Sequence, residues 1–154
     1  MALPRHKFSV DDCFHMVETG VFSHDYRFEL LDGEIVPISP KGAMHITVQA
    51  ALIKALGKTC PDSVMFAAEP TIKVTDTQFV EPDLFIWPAS IRADGINLCD
   101  ALLVIEIATT SLAVDLGRKA KIYAAGGAPE FWVIDTAKLL IHVHRDPTAD
   151  GYRS

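Results

Sequence analysis

The sequence predicts a mixed α/β (α+β) fold, a β-sheet flanked by helices, and three observations support this prediction. Apolar residues recur with helical spacing in several segments that are separated by strand-length apolar runs. An Asp-Gly pair inside an alternating stretch predicts a tight hairpin. The run ALLVIEIA at residues 101–108 is almost wholly apolar, as is typical of a central strand covered on both faces. The 154 residues suit one domain, and we expect residues 1–154 to form it.

The elements follow one another as helices separated by strands. Caps, turn residues and apolar periodicity set their bounds. In chain order we predict a helix over residues 8–20, a hairpin over 26–39, a helix over 43–59, one or two strands over 63–74, strands over 80–87 and 101–108, a helix over 111–127, and strands over 130–135 and 138–144. Ser9 can cap the first helix, and a hairpin that turns at Asp32-Gly33 pairs Leu31 with Glu34. We expect the last ten residues to be a loop.

The composition narrows the classes of function. No apolar run approaches the roughly 20 residues of a membrane span, and the N-terminal MALPRHKFSV lacks an apolar signal core, so we expect a cytoplasmic protein. Cys13, Cys60 and Cys99 form no paired motif, which fits reduced thiols. The formal net charge of −6 argues against broad electrostatic capture of nucleic acid. Any DNA-binding face must therefore be local, or be completed by an oligomer or a partner.

Two carboxylates stand out on the predicted strands. Asp83 follows Pro82 at the entry of one strand, and Glu106 interrupts an apolar run. If the two strands are neighbours, the alternation of side chains allows Asp83 and Glu106 to converge. With a backbone carbonyl such as that of Ile107, they would offer the oxygen ligands that Mg²⁺ prefers, and such an ion can polarise a phosphate. The alternatives are a turn residue for Asp83 and a buried structural pair for Glu106, since an unpaired buried carboxylate is costly.

Two such carboxylates look like two thirds of a metal-dependent nuclease site, whose third group is a lysine expected two residues after the glutamate. That position is Ala108. At about 100° per residue, Lys119 falls inside the apolar face of the next predicted helix. The residues around it on that face are Leu112, Leu116 and Tyr123. We expect Lys119 to reach over the sheet towards Glu106, where it could orient the attacking water. The alternative is an exposed i,i+4 pair between Asp115 and Lys119.

Further residues are candidates for a supporting role. In the predicted hairpin, Glu29 and Glu34 share a face with Leu31; on a core face they could join the site, and on a solvent face they are ordinary charges. His45 aligns with the apolar face of its helix, as a core or cap histidine or as a site histidine. Glu69 is a weaker candidate.

The order and spacing of these motifs resemble those of the Uma-two family of restriction endonucleases. The resemblance runs from about residue 8 to residue 144 and is carried by RFELLDGEIVPISP followed by His45, then EPDLFIW, LLVIEIATTS and DLGRKAKIYAAGGAPEFWVID. It implies the restriction-endonuclease-like PD-(D/E)XK fold, and it makes Asp115 and Lys119 the counterparts of the family's later Asp and Lys. The proline that the family usually carries after the strand acid is missing from EIATTS, although the acid is present. Such proteins usually continue past the HVH strand, so we expect a shortened C-terminal region.

The leading hypothesis is an endonuclease that hydrolyses DNA phosphodiester bonds with Mg²⁺ or Mn²⁺. Asp83 and Glu106 would hold the ion, and Lys119 would assist the water. A binding or scaffold domain that kept the fold and lost useful turnover is the alternative, favoured by the acidic charge and the short C-terminal region. A third hypothesis is hydrolysis of another phosphate substrate. We expect a homodimer, which double-strand cutting commonly uses, and we find no basic helix that could read bases.

Overall fold

The computed structural model describes residues 2–154, and these residues form two compact units. The first unit contains the described residues up to Pro40 together with Thr71–Glu81. The second contains Lys41–Pro70 and Pro82–Ser154. The single domain expected over residues 1–154 stays a prediction. No helix within residues 2–154 is both long enough and apolar enough to cross a membrane.

The first unit combines one helix with a four-stranded sheet of order β2-β1-β5-β4. Its elements are α1 (Val10–Glu18), β1 (Phe28–Leu31), β2 (Glu34–Pro37), β4 (Ile72–Thr75) and β5 (Gln78–Val80). The predicted cap is confirmed, because Oγ of Ser9 accepts the N–H of Asp12 while the Asp12 carboxylate accepts the N–H of Ser9. A core of buried apolar side chains holds α1 against the sheet: Val10, Cys13, Phe28, Leu30 and Phe79.

The predicted hairpin is also confirmed, with Leu31 paired to Glu34. Its two turn residues, Asp32 and Gly33, have φ of 51° and 75°, as a tight two-residue turn of this type requires. A side chain at Gly33 would meet the Cβ of Lys7 at 2.6 Å, so the turn needs glycine for its close approach as well as for its φ.

The second unit is built on a five-stranded sheet of order β3-β6-β7-β8-β9. Its elements are α2 (Ala43–Thr59), β3 (Val64–Ala68), β6 (Leu84–Pro88), β7 (Leu103–Ala108), α3 (Leu112–Val114), α4 (Ala120–Ala125), β8 (Glu130–Asp135) and β9 (Leu140–Arg145). The strands β7 and β8 run parallel, and the other neighbours in this sheet are antiparallel, so the sheet is mixed as predicted.

The strand β7 is central, which confirms the prediction from its apolar run. On one face of the sheet, Leu52 and Leu56 of α2 pack against a core cluster that includes Ile105 and Ile107. On the other face, the ring of Tyr123 of α4 lies 4.8 Å from the ring of Phe131. Both faces of the strand are therefore covered, which explains its unbroken apolar character.

The described residues form four-, five- and two-stranded sheets, and the short strand β5 pairs with the hairpin in the first of these. Two predictions about the strands are wrong. The strand predicted over 80–87 begins at Leu84; Val80 belongs to β5, and Pro82 has no N–H to donate to a ladder. The expected C-terminal loop is a hairpin of β10 (Pro147–Thr148) and β11 (Gly151–Tyr152).

The C-terminal hairpin is held by its backbone and by one aromatic side chain. The N–H of Arg145 donates to the carbonyl of Ser154, and the N–H of Ser154 donates back. The hydroxyl of Tyr152 donates to the carbonyl of Ala128, and its ring packs on Phe131. A single tyrosine in a polar stretch gives little sequence signal, which is why the segment has the composition of a loop.

Candidate functional site

The register of the five-stranded sheet brings Asp83 and Glu106 to the same level. The strands β6 and β7 are antiparallel neighbours, and Leu84 pairs with Ile105. Asp83 comes one residue before Leu84, and Glu106 one residue after Ile105, so the two residues stand opposite each other at the end of the paired stretch. Both are buried, and Oδ2 of Asp83 accepts the N–H of Ile107 at 2.7 Å. The strands are thus neighbours, as the convergence of the two acids requires.

Lys119 turns inward onto the second of these acids. Its Nζ lies 2.6 Å from Oε1 of Glu106, and both side chains are buried. The hydroxyl of Tyr123 donates to the same carboxylate oxygen, and Nζ of Lys119 lies 5.9 Å from the centre of the Tyr123 ring. The orientation expected for Lys119 is therefore found. The alternative of an exposed pair with Asp115 is wrong, since Asp115 is buried as well.

The segment that carries Lys119 is not a regular α-helix. Residues Asp115–Lys119 form a π-helical turn, in which the N–H of Ala120 donates to the carbonyl of Asp115. The carboxylate of Asp115 accepts a hydrogen bond of 2.5 Å from Oγ of Ser111. Single π-helical turns are rare in proteins. Those that do occur are often found at functional sites. This wide turn holds both Asp115 and Lys119 in the buried part of the helix.

Asp83 is surrounded by hydrogen-bond donors. Lys41 donates from Nζ to Oδ1 of Asp83, and Nε2 of His45 lies 3.0 Å from the same oxygen. Nε2 of Gln49 donates to the backbone carbonyl of Asp83 at 3.2 Å. Burial by itself would raise the pKa of Asp83, but the hydrogen bonds from His45 and Lys41, the charge of Lys41 and the N–H of Ile107 outweigh it. Together they hold the pKa of Asp83 well below its usual range, so the group is a carboxylate.

His45 contacts the carboxylate of Asp83. Nε2 of the His45 ring lies within hydrogen-bonding distance of both Oδ1 of Asp83 and Nζ of Lys41. The ring is buried beside Asp83, and it fixes one carboxylate oxygen. The inward position of His45 is confirmed, and its role in a site stays a prediction.

Two of these side chains had no role in the sequence-based prediction, namely Lys41 and Gln49. They flank His45 at spacings of four residues on either side. Gln49 follows His45 by about one turn of α2, so its place on the same face is a signal that sequence reasoning could have used. Lys41 precedes the N-cap Gly42, so helical spacing does not place its side chain.

The two supporting glutamates lie in the first unit. Glu29 is buried, and its Oε1 accepts the N–H of Glu81 at 2.8 Å. Glu34 forms an ion pair of 3.7 Å with Arg5, and its side chain is 44% exposed. The other predicted site residues all belong to the second unit.

The donor set can be compared with the needs of a metal ion. Among residues 2–154, no group of three or more His, Cys, Asp or Glu side chains is arranged to hold one. Mg²⁺ needs only one or two protein carboxylates beside substrate phosphates and water. Asp83 and Glu106 supply two such carboxylates, and the carbonyl of Ile107 is a third oxygen nearby in the chain. In donor type the two carboxylates fit this ion, and in this structure each contacts a lysine, Asp83 with Lys41 and Glu106 with Lys119.

The chain belongs to the Uma2 family, whose model is described as "Putative restriction endonuclease" and matches residues 11–154. Its fold is similar to a solved structure from Anabaena variabilis ATCC 29413, described as a "putative nuclease belonging to DUF820". The two share 15% identity with a TM-score of 0.74, over 92% of this chain and 80% of the other. At that identity the likeness shows the fold. No curated protein matches the sequence.

Proposed function

We propose that the protein is a metal-dependent endonuclease that hydrolyses DNA phosphodiester bonds. The observation that carries the proposal is the buried ion pair in which Nζ of Lys119 lies 2.6 Å from Oε1 of Glu106. A lysine beside a carboxylate can stabilise the negative charge that develops during phosphodiester hydrolysis, and Asp83 directly precedes the neighbouring strand β6. Membership of the Uma2 family supports the same reaction class.

Each of the three central residues would have its own role. Asp83 and Glu106 would hold Mg²⁺ or Mn²⁺, and such an ion, when bound, neutralises charge on the scissile phosphate. Lys119 would donate a hydrogen bond to the attacking water or to a phosphate oxygen, where negative charge develops in the transition state. Tyr123 would keep Glu106 in position, because its hydroxyl donates to Oε1.

The supporting residues complete the proposal. His45 would orient Asp83 through the contact of 3.0 Å, and Asp115 would fix the start of the π-helical turn through its bond to Ser111. Glu29 and Glu34 stay predictions as additional acids. Their Gln variants would lower the rate of DNA cleavage if they take part, and would leave it unchanged if they only stabilise the first unit.

DNA as the substrate, a homodimer and a cytoplasmic location belong to the same proposal. A two-fold dimer would present one site to each strand of a duplex. Because the net charge is −6, the DNA-binding surface of one chain alone would be small. A dimer would provide a larger one.

A catalytically weak or inactive binding domain is the second candidate, and one observation favours it. Both carboxylate oxygens of Asp83 already accept hydrogen bonds from the protein, Oδ1 from Lys41 and His45 and Oδ2 from the N–H of Ile107. A carboxylate with this many donors is also what a purely structural role would produce.

Cleavage of supercoiled plasmid and of single-stranded DNA, with Mg²⁺ or Mn²⁺ and with EDTA, tests the proposal. The variants are Asp83→Ala and Lys119→Ala, and Lys121→Ala is the control because Lys121 is exposed on the same helical segment. We expect metal-dependent cleavage by the wild type and by Lys121→Ala, and none by the other two. Clean wild-type protein that cleaves no substrate would favour the binding domain. Cleavage that survives both site substitutions would show that the activity lies elsewhere.

A further inference from the structure

We propose that Lys41 occupies the cation position on Asp83 and must withdraw from it before a divalent ion can bind there. This inference rests on the proposed metal-dependent function, and it assigns to Lys41 a competing, positioning role. Its basis is the geometry around two carboxylates, those of Asp83 and Glu69.

In the structure, the ammonium group of Lys41 lies on Asp83, which we call its inner position. Its Nζ donates to Oδ1 of Asp83 and lies 3.2 Å from Nε2 of His45. A buried carboxylate is costly without a compensating positive charge, and Lys41 supplies that charge. A divalent ion on Oδ1 would supply it instead, and two cations within a few ångströms of each other repel strongly in a weakly polar site. The ion and the ammonium group of Lys41 therefore cannot both occupy Oδ1 of Asp83.

Glu69 offers the ammonium group of Lys41 a second carboxylate, closer to solvent, which we call its outer position. Its Oε1 lies 3.5 Å from Nζ of Lys41, and its side chain is more exposed than that of Asp83, at 26% against 4%. The backbone of Glu69 has a φ of 56°, an uncommon conformation for a residue other than glycine. Its N–H donates to the carbonyl of Asp83 at 3.3 Å, so the two acids are tied together through the backbone. Glu69 is thus held where it can receive the ammonium group that leaves Asp83.

The two lysines of the site differ in their freedom to move. The side chain of Lys119 is 7% exposed, and that of Lys41 is 23% exposed. Lys41 also lies before the first residue of α2. A partly exposed lysine has a long, flexible stem and a short path to water. Lys41 is therefore better placed to withdraw than Lys119.

Direct measurement of metal binding tests the inference without any nuclease assay. The free Mn²⁺ signal in electron paramagnetic resonance is titrated for the wild type, Lys41→Gln, Lys41→Arg and Lys54→Gln; Lys54 is an exposed lysine of α2. We expect Lys41→Gln to bind Mn²⁺ about tenfold more tightly than the wild type, which corresponds to about 1.4 kcal/mol. Lys41→Arg and Lys54→Gln should bind like the wild type. Equal or weaker binding by Lys41→Gln would overturn the inference.

A second measurement uses the wild type alone, so that it does not depend on the folding of a variant. The protein is labelled briefly with an amine-reactive ester with and without Mg²⁺, and labelling of each lysine is read by peptide mass spectrometry. Mg²⁺ should increase the labelling of Lys41 at least about twofold and leave that of Lys54 unchanged, because a withdrawn ammonium group is more accessible. Unchanged or reduced labelling of Lys41 would contradict its withdrawal.

These outcomes separate the inference from the proposed function. Wild-type protein that cleaves DNA with metal, while Lys41→Gln binds Mn²⁺ no more tightly, would remove only the role of Lys41. Tighter Mn²⁺ binding by Lys41→Gln in a protein that cleaves no DNA would remove the endonuclease and keep the competition at Asp83. An absence of Mn²⁺ binding in all four proteins would overturn the inference.

Discussion

Nζ of Lys119 and Oε1 of Glu106 form a buried ion pair of 2.6 Å, on a π-helical turn and a central strand respectively. Side chains that are 7% and 5% exposed have almost no water to compensate either charge. The pair is therefore the centre of the proposed nuclease site. It also affects the stability of the fold, because each buried charge is compensated by the other.

The first prediction concerns the stability of this pair. Lys119→Met leaves the carboxylate of Glu106 buried without its cation, so we expect the free energy of unfolding to fall by about 3–5 kcal/mol. The double variant Glu106→Gln/Lys119→Met removes both charges and should lose clearly less than the sum of the two single variants. Urea unfolding followed by circular dichroism measures all four proteins. Strict additivity would contradict a direct interaction between the two groups.

The second prediction concerns acid sensitivity at Asp83. Hydrogen bonds from His45 and Lys41 outweigh the effect of burial and hold its pKa well below the usual value. The ionised group then contributes stability above the ordinary aspartate pKa of about 3.9, and this contribution is lost as the pH falls below that value. Between about pH 5 and pH 3, the free energy of unfolding should fall more steeply for the wild type than for Asp83→Asn.

Urea titrations at several pH values in that range provide the measurement. Asp62→Asn is the control, because Asp62 is an exposed carboxylate of the same unit. It should reproduce the slope of the wild type. Equal slopes for the wild type and Asp83→Asn would mean that the donors around Asp83 do not favour its ionised form.

The third prediction concerns the hairpin turn of the first unit. Gly33 and Gly20 have nearly the same φ, 75° and 76°, but a Cβ would meet Lys7 at Gly33 and nothing within 4 Å at Gly20. Gly20→Ala should cost about 1 kcal/mol from backbone strain alone, and Gly33→Ala should cost at least about 1 kcal/mol more from the clash. Thermal unfolding of both variants measures the difference. Equal losses would show that the contact with Lys7 is readily relieved.

Local patterns predicted much of the fold because the physics that determines these elements acts over short distances. The cap at Ser9, the turn at Asp32-Gly33 and the central strand with its acid at Glu106 all depend on neighbours in sequence. The three residues of β5 are too few to show a period, so neither the strand nor its four-stranded sheet could be seen in advance. The C-terminal hairpin was missed because it depends on the distant contacts of Tyr152.

The candidate site was only partly visible for the same reason. The helical face of Lys119 predicted its approach to Glu106, because both positions follow from simple periodicities. The π-helical turn could not be predicted, since it adds a residue to one turn without any change of composition. The contact of Lys41 with Asp83 spans 42 residues of sequence, and only the packing of α2 on the sheet brings them together.

The rate of plasmid cleavage by Lys119→Met, compared with that of Lys121→Met, tests the central claim most directly. Both variants replace one lysine of the same helical segment, but Lys119 is buried on Glu106 and Lys121 is exposed. Rates are measured with Mg²⁺ at a temperature where circular dichroism shows both variants to be folded. We predict that Lys119→Met is slower than the wild type by about 10²-fold or more, and that Lys121→Met cleaves at the wild-type rate. Equal rates for the two folded variants would contradict a catalytic role for Lys119.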